Sequence, residues 1–275
     1  MSYQHWKVDD LPWAAFDPAK VDSDHVKLAK AAALVEYNGH DYAAYLGNVF
    51  ADDPELKAAT HAWALEEVQH GEALGRWAQA ADPSFDFEGA FKRFREGYQL
   101  PLEAKESVRG SRSGELLARC IVETATSSYY AALGEAAQEP VFKAICQRIA
   151  TDELRHYKLF YTHLRQYLDK EALNRFERIK LALGRVQESE DDELAYAYYA
   201  ANGSPDEPYD REKYGQAYLG HAYKFYRPHH VERGVGMIFK ACGLKPHTPL
   251  QGVVNHVTWW LIKKKVRQTE VANAA

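Results

Sequence analysis

The chain has 275 residues, 46% of them hydrophobic, and a formal charge of −5. No run of about 18 apolar residues occurs and the start, Met1-Ser2-Tyr3-Gln4-His5-Trp6-Lys7, lacks the basic-then-apolar pattern of a secretion signal, so neither a membrane span nor export is expected. Three widely spaced cysteines, Cys120, Cys146 and Cys242, with no Cys-x-x-Cys, read as reduced core residues of a cytoplasmic protein and exclude a cysteine-held zinc or iron module.

Residues 1–22 carry Pro12 and Pro18 and read as an irregular arm with Trp6 and Trp13 as anchors. A first helix is expected from Ser23 or Asp24, either of which suits an N-cap, to about Phe50, with a core row Ala29, Ala33, Glu36, His40. Asp53-Pro54 is a cap followed by proline at the first helical position. It predicts a second helix to about Asp82, whose row Leu56, Thr60, Trp63, Glu67, His70, Leu74, Trp77 keeps alternating 4-3 spacing. Residues 84–112 hold a short aromatic helix near 87–98 and a Gly/Ser/Arg stretch, a connection long enough to carry the chain from one end of a bundle to the other. A third helix, about 113–138, carries Leu116, Cys120, Glu123, Ser127, Tyr130 on one row. After Glu139-Pro140, a fourth runs to about Leu168 with Phe142, Ile145, Ile149, Glu153, His156, Phe160, His163, Tyr167 on its row. Beyond Lys170, helices are expected near 172–187, 210–226, 229–242 and 249–266, with an acidic run at 188–193, a tyrosine-rich stretch after it and a loop at 202–208. No segment has strand period. The expected fold is therefore all-α, a ferritin-like four-helix bundle over about 23–168 with additional C-terminal helices over about 169–275, in one domain.

Two of these helices carry Glu66-Glu67-Val68-Gln69-His70 and Asp152-Glu153-Leu154-Arg155-His156. A Glu and a His three residues apart share a helix face and can hold one metal ion from one side. With 23 Glu and 12 His in 275 residues, chance expects about 12 × 23/275, or one, such pair. The weight lies in their context: matching acidic doublets, placement within apolar rows, and a lone core-row glutamate on each of two further helices, Glu36 and Glu123. The pattern of one Glu from each of two helices and Glu-x-x-His from each of two others is that of carboxylate-bridged dimetal bundles. Four carboxylates converging in a dry core are strongly unfavourable unless neutralised; two divalent ions supply four positive charges, and iron or manganese suits carboxylate with imidazole. The metal-ligand candidates are thus Glu36, Glu67, His70, Glu123, Glu153 and His156. The other histidines near these rows, His40 and His163, read as hydrogen-bonded core or rim residues.

Glu67-x-x-His70-Gly71, the stretch Ile149-Ala150-Thr151-Asp152-Glu153-Leu154-Arg155-His156 and Glu123-Thr124-Ala125-Thr126 resemble the motifs of the soluble acyl-[acyl carrier protein] desaturases, over roughly residues 30–165. The resemblance implies that the six candidates bind two iron ions, that Thr126 lies near the oxygen site, and that Asp152 supports a ligating histidine. It also implies dioxygen as co-substrate, a ferredoxin-like electron donor, an acyl carrier protein presenting the substrate, and a homodimer. Thr151 between the Ala and the Asp departs from the motif, and residues beyond 165 match no family motif. One turn after His70 stands Leu74, where a ribonucleotide reductase would place its radical tyrosine. A di-iron N- or C-oxygenase on another substrate, or a ferritin-like protein with ferroxidase or peroxidase activity, are the alternatives. No nucleic-acid partner is expected. From Arg211 onward 11 Lys/Arg face 3 Asp/Glu, a charge of +8, against 23 − 36 = −13 for the rest. The basic end, Lys263-Lys264-Lys265-x-Arg267, with Trp259 and Trp260 expected as anchors, is a candidate surface for an acidic partner.

Overall fold

A computed structural model describes residues 5–188, 192–204 and 206–274, with positions 189–191 of the acidic run outside that set. Every regular element among the described residues is helical: α1 (Ser23–Tyr37), α2 (Gly39–Val49), α3 (Pro54–Ala81), α4 (Phe87–Gly97), α5 (Arg112–Ala136), α6 (Pro140–Leu168), α7 (Arg175–Glu188), α8 (Asp192–Asn202), α9 (Arg211–Tyr223), α10 (Pro228–Ala241) and α11 (Pro249–Ala274), with short 3-10 turns in the N-terminal arm. Among the described residues no helix is long and apolar enough to cross a membrane. Cys120, Cys146 and Cys242 are buried thiols.

The helix starts follow local chemistry. Asp53 accepts the Leu56 N–H ahead of Pro54, and Ser111 accepts the Gly114 N–H. Glu139 accepts the Val141 and Phe142 N–H groups and also the Trp77 indole N–H at 2.7 Å, so one carboxylate both starts α6 and ties it to α3. At α1 the cap is Asp22, one residue ahead of the expected position; its carboxylate reaches the N–H groups of Asp24 and His25.

Four helices pack in antiparallel pairs. Lys30 meets Asp82 and Tyr37 meets Gly71, so α1 runs against α3. Trp63 faces Phe160 and Trp77 stacks on Phe142 at 4.2 Å, so α3 runs against α6. Gly134 lies beside Cys146 and Ser127 bonds to Ala150, so α6 runs against α5. Helices α3 and α5 are therefore parallel, and α4 with the 98–111 segment returns the chain the length of the bundle. Arg112 duly reaches Asp52 and the Val49 carbonyl beside the start of α3. Trp77, Phe142 and Phe160 are fully buried here; truncating one such aromatic costs about 3–5 kcal/mol.

The first helix is not continuous to Phe50. It breaks at Asn38, and His40 is exposed rather than on the core row. The break sits where two glycines let helices touch. A Cβ on Gly39 would lie 2.7 Å from the Glu67 Cβ, and one on Gly71 would lie 2.5 Å from the Tyr37 nitrogen. The backbone reorients at this point to keep both α1 and α2 against α3.

The C-terminal helices cover one side of this core. Helix α8 lies on α1, α7 and α10 lie on α5, and α9 and α11 pack outside them. On α11, Trp259 packs against Val231, Val235, Phe239 and Ile262, while Trp260 is exposed. A helix turns about 100° per residue, so adjacent tryptophans cannot both anchor it.

Candidate metal centre

Each ligand candidate is positioned by its helix. Glu36 comes from the last turn of α1, Glu67 and His70 from the middle of α3, Glu123 from α5, and Glu153 and His156 from α6. Because each row faces the bundle interior, all six converge. They form two overlapping groups, Glu36–Glu67–His70–Glu153 and Glu67–Glu123–Glu153–His156, with the ligand atoms of each within 4.8 Å of one another. His70 Nδ1 lies 3.4 Å from Glu36 and 3.4 Å from Glu153; His156 Nδ1 lies 3.0 Å from Glu67 and 3.5 Å from Glu123. Glu67 and Glu153 belong to both groups. The geometry thus defines two positions, each with its own Glu and His, spanned by two shared carboxylates.

One buried atom of each residue has no hydrogen-bond partner: Glu36 Oε2, Glu67 Oε1, His70 Nδ1, Glu123 Oε2, Glu153 Oε1 and His156 Nδ1. Buried polar atoms are paired almost everywhere in proteins. Six such atoms facing one another are the donor set two cations require, so the residues fit a dimetal group on their own geometry. The charges say the same. Burial and the carboxylates of Glu153 and Glu36 push Glu67 well above the ordinary range, and burial with Glu153 pushes Glu123 up to about 8. Burial acts to lower His70 and His156, yet the surrounding carboxylates hold both well above the usual imidazole value. Burial likewise acts to raise Glu153, but the two histidines hold it low. Without cations the cluster retains protons; bound cations would replace them.

The other histidine nitrogens are held across the α3–α6 contact. His70 Nε2 meets Asp152 Oδ2 at 3.1 Å, and His156 Nε2 meets Glu66 Oε2 at 2.9 Å. The first acid of each doublet thus orients the histidine of the opposite helix, leaving Nδ1 toward the site. Arg155 donates to both Glu66 and Asp152 and joins the two supports. The Trp6 indole N–H donates to Asp152 at 2.7 Å, and its ring stacks on His70 with 7° between planes. Tyr130 donates to Glu36 Oε1 at 2.5 Å. Glu66, Tyr130 and Trp6 are partners that the sequence signalled only in part: Glu66 by its doublet, Tyr130 by its place on the Glu123 row, Trp6 as an unassigned anchor.

Thr126 donates its one hydroxyl proton to the second oxygen of Glu153, with the Val122 and Glu123 carbonyls within reach as alternative acceptors. It also lines two adjoining cavities. A chamber of about 130 Å³ lies against Glu36, Tyr129, Tyr130 and Tyr218. At Thr126, Val35 and Leu194 it meets a larger, mainly apolar cavity of about 500 Å³ between α5 and the covering helices. That volume lies within the range of small-molecule sites. Two carboxyls line it: Glu115, which accepts from the Tyr45 and Ser107 hydroxyls, and Glu193 on α8, whose Oε1 has no partner and which burial and the charge of Glu36 push up to about 8.

Glu135, His229 and His230 form a third acid–histidine group at the surface. There His230 Nδ1 accepts the Arg227 backbone N–H at 3.0 Å, so in the neutral ring Nε2 carries the proton and donates to Glu135 at 3.1 Å. That nitrogen has no lone pair to offer a cation, and the group is a hydrogen-bonded clasp between α5 and α10.

No known protein-family model matches this chain, and no curated protein matches it.

Proposed function

We propose that the chain is an oxygen-activating oxidoreductase with a non-haem di-iron centre in a ferritin-like four-helix bundle, most similar to the desaturases of carrier-protein-bound acyl chains. One observation carries this reading: six buried, partnerless ligand atoms in two groups sharing Glu67 and Glu153, beside an apolar cavity that reaches them at Thr126. Metal storage alone has no use for such a cavity. Carboxylates with two imidazoles suit iron, and manganese is the other metal this donor set accommodates.

When bound, two iron ions supply the electron transfer to dioxygen that makes removal of hydrogen from an unactivated C–H bond accessible. The remaining tasks fall to the chain. Glu36 with His70 would hold one ion and Glu123 with His156 the other, with Glu67 and Glu153 available to both. Asp152 and Glu66 keep each imidazole Nδ1 free of a proton and aimed inward. Thr126 holds a hydroxyl proton on Glu153 at the cavity wall, between the carboxylates and any bound substrate. The apolar walls orient an alkyl chain and exclude water, which keeps the electrostatics of the site strong. A ferredoxin-like protein is the proposed electron source.

Glu193 favours a second reading. A carboxyl in the cavity wall fits an oxygenase whose substrate places a polar nitrogen or oxygen there, and N- or C-oxygenation is the corresponding reaction.

The test is to express the protein in iron-replete medium, determine metal per chain, then supply reductant, dioxygen and an acylated carrier protein and look for an unsaturated product by mass spectrometry. Two ions per chain with a new double bond support the reading. Trace metal in well-folded protein sinks the dimetal centre; two ions with an oxygenated product, or no acyl product, sink desaturation alone.

A further inference from the structure

Helix α11 has two faces. Its inner face holds Gln251 and Ile262, and Thr258 and Ile262 line the 500 Å³ cavity. Its outer face presents Leu250, Val253, Val257, Trp260 and Leu261, each 47–62% exposed. At helical spacing these five lie on one arc of about 100° and form a continuous apolar stripe. Scattered exposed apolar residues need no explanation, but a stripe along three turns of one helix does. The stripe runs directly into exposed Lys263, Lys264 and Arg267, which with Trp260 and Gln268 border an open recess of about 560 Å³. Lys264 lies 5.7 Å over the Trp260 ring. Between Pro249 and Thr269 there are four Lys/Arg and no Asp or Glu.

We infer that α11 is a docking helix for an anionic lipid surface, lying in the headgroup layer with its aliphatic stripe inserted and its lysines and arginine among the lipid phosphates and carboxylates. The chemistry selects that occupant over two others. A second copy of this chain would bring the same cations over its own stripe, where Lys264 shares the arc of Val253 and Val257, and no acidic residue between Pro249 and Thr269 answers it. An acidic protein would satisfy the cations but leave Leu250, Val253 and Val257, up to two turns and more away, without a stated partner. A lipid surface meets both needs at once: apolar depth for the stripe, anionic headgroups for the cations, and an interfacial level suited to Trp260. The long stems of Lys263 and Lys264 reach up to the headgroups from a helix lying in the surface. The rest of the chain sets the orientation. Residues before Arg211 sum to 23 − 36 = −13, so an anionic surface repels that side and attracts this one. Docking in this pose places the inner wall of the cavity one helix away from the lipid.

The surface proposal stands on α11 alone, independently of the metal centre, and its test uses the full chain. Co-sedimentation is measured with vesicles of phosphatidylcholine alone and with vesicles in which about a third is phosphatidylserine, at low and moderate salt. Wild type should bind the anionic vesicles, release with salt and ignore the neutral ones. Lys263→Glu/Lys264→Glu/Arg267→Glu should lower partitioning at least about tenfold. Val253→Ser/Val257→Ser should also lower it while leaving the charge intact. All five positions are exposed, so folding is unaffected, and circular dichroism with unchanged metal content checks this. No binding of wild type to anionic vesicles overturns the proposal, as does binding that either variant leaves unchanged. So does failure on vesicles combined with capture of an acidic carrier protein through the same lysines, or a concentration-dependent dimer abolished by Val253→Ser/Val257→Ser.

Discussion

Gly71→Ala tests how the site is built, because the glycine supplies no ligand atom itself. The added Cβ would lie 2.5 Å from the Tyr37 nitrogen and 2.7 Å from its Cα. Ordinary contact needs roughly 3.5 Å, so α1 must retreat by about 1 Å. The atoms in the way are backbone and cannot rotate aside. Tyr37 is the residue after Glu36, so the retreat carries Glu36 away from His70, which now sits 3.4 Å from it. Overpacking of this kind costs about 1–3 kcal/mol, which for a chain of this size lowers the melting temperature by roughly 2–10 °C. The damage is one-sided. Glu123 and His156 come from α5 and α6, whereas the nearest atoms an added Gly71 Cβ would meet all belong to Tyr37 on α1, so the second position should persist. Metal content should fall from about two ions per chain toward one, read by elemental analysis after mild chelator washing. Gly252→Ala is the control, since nothing lies within 4 Å of its added Cβ. A Gly71→Ala protein with unchanged melting temperature and two retained ions would refute the account of the α1–α3 contact.

Metal removal should make stability depend on pH. Glu67, Glu123, His70 and His156 all have raised values in the ion-free fold, so their favourable contribution is fullest below the unfolded values, about 4.3 for Glu and 6.5 for His, and is lost as pH rises, for Glu123 through about 8. Glu153, held low, titrates at acid pH outside that window. Chelated protein should therefore melt progressively lower from about pH 6 to about pH 8, with a widening gap to metal-loaded protein; a gap independent of pH counts against the shared site. Asp152→Asn and Glu66→Gln should each weaken metal binding by about 10–100-fold in chelator competition, the first through His70 and the second through His156. Wild-type affinity in both would remove the support role. Lys30→Met should cost about 1 kcal/mol at neutral pH in urea denaturation. Its ammonium and the Ser84 hydroxyl hold Asp82 down to about 2, so the loss should shrink as pH falls through about 4 toward 2; a constant difference would contradict the linkage.

What could be read from the chain were periodic features. Asp53-Pro54 and Glu139-Pro140 mark helix starts because capping is local chemistry. Glu67, His70, Glu123, Glu153 and His156 stood out because polar residues on otherwise apolar rows must meet inside, and the parallel course of α3 and α5 followed from the length of the segment between them. Other features depend on which surfaces meet, and spacing along one helix does not record that. The break at Asn38 follows from Gly39 and Gly71 each admitting a neighbouring backbone. The crossed pairing of Glu66 with His156 and Asp152 with His70 exists only because α3 and α6 run antiparallel at that register. Trp6 reaches Asp152 across 146 residues of chain, and the cavity beside Thr126 is the space left between α5 and helices whose sequence matches no motif. Local sequence determines which face of a helix is apolar; only packing decides what that face touches and where it leaves room.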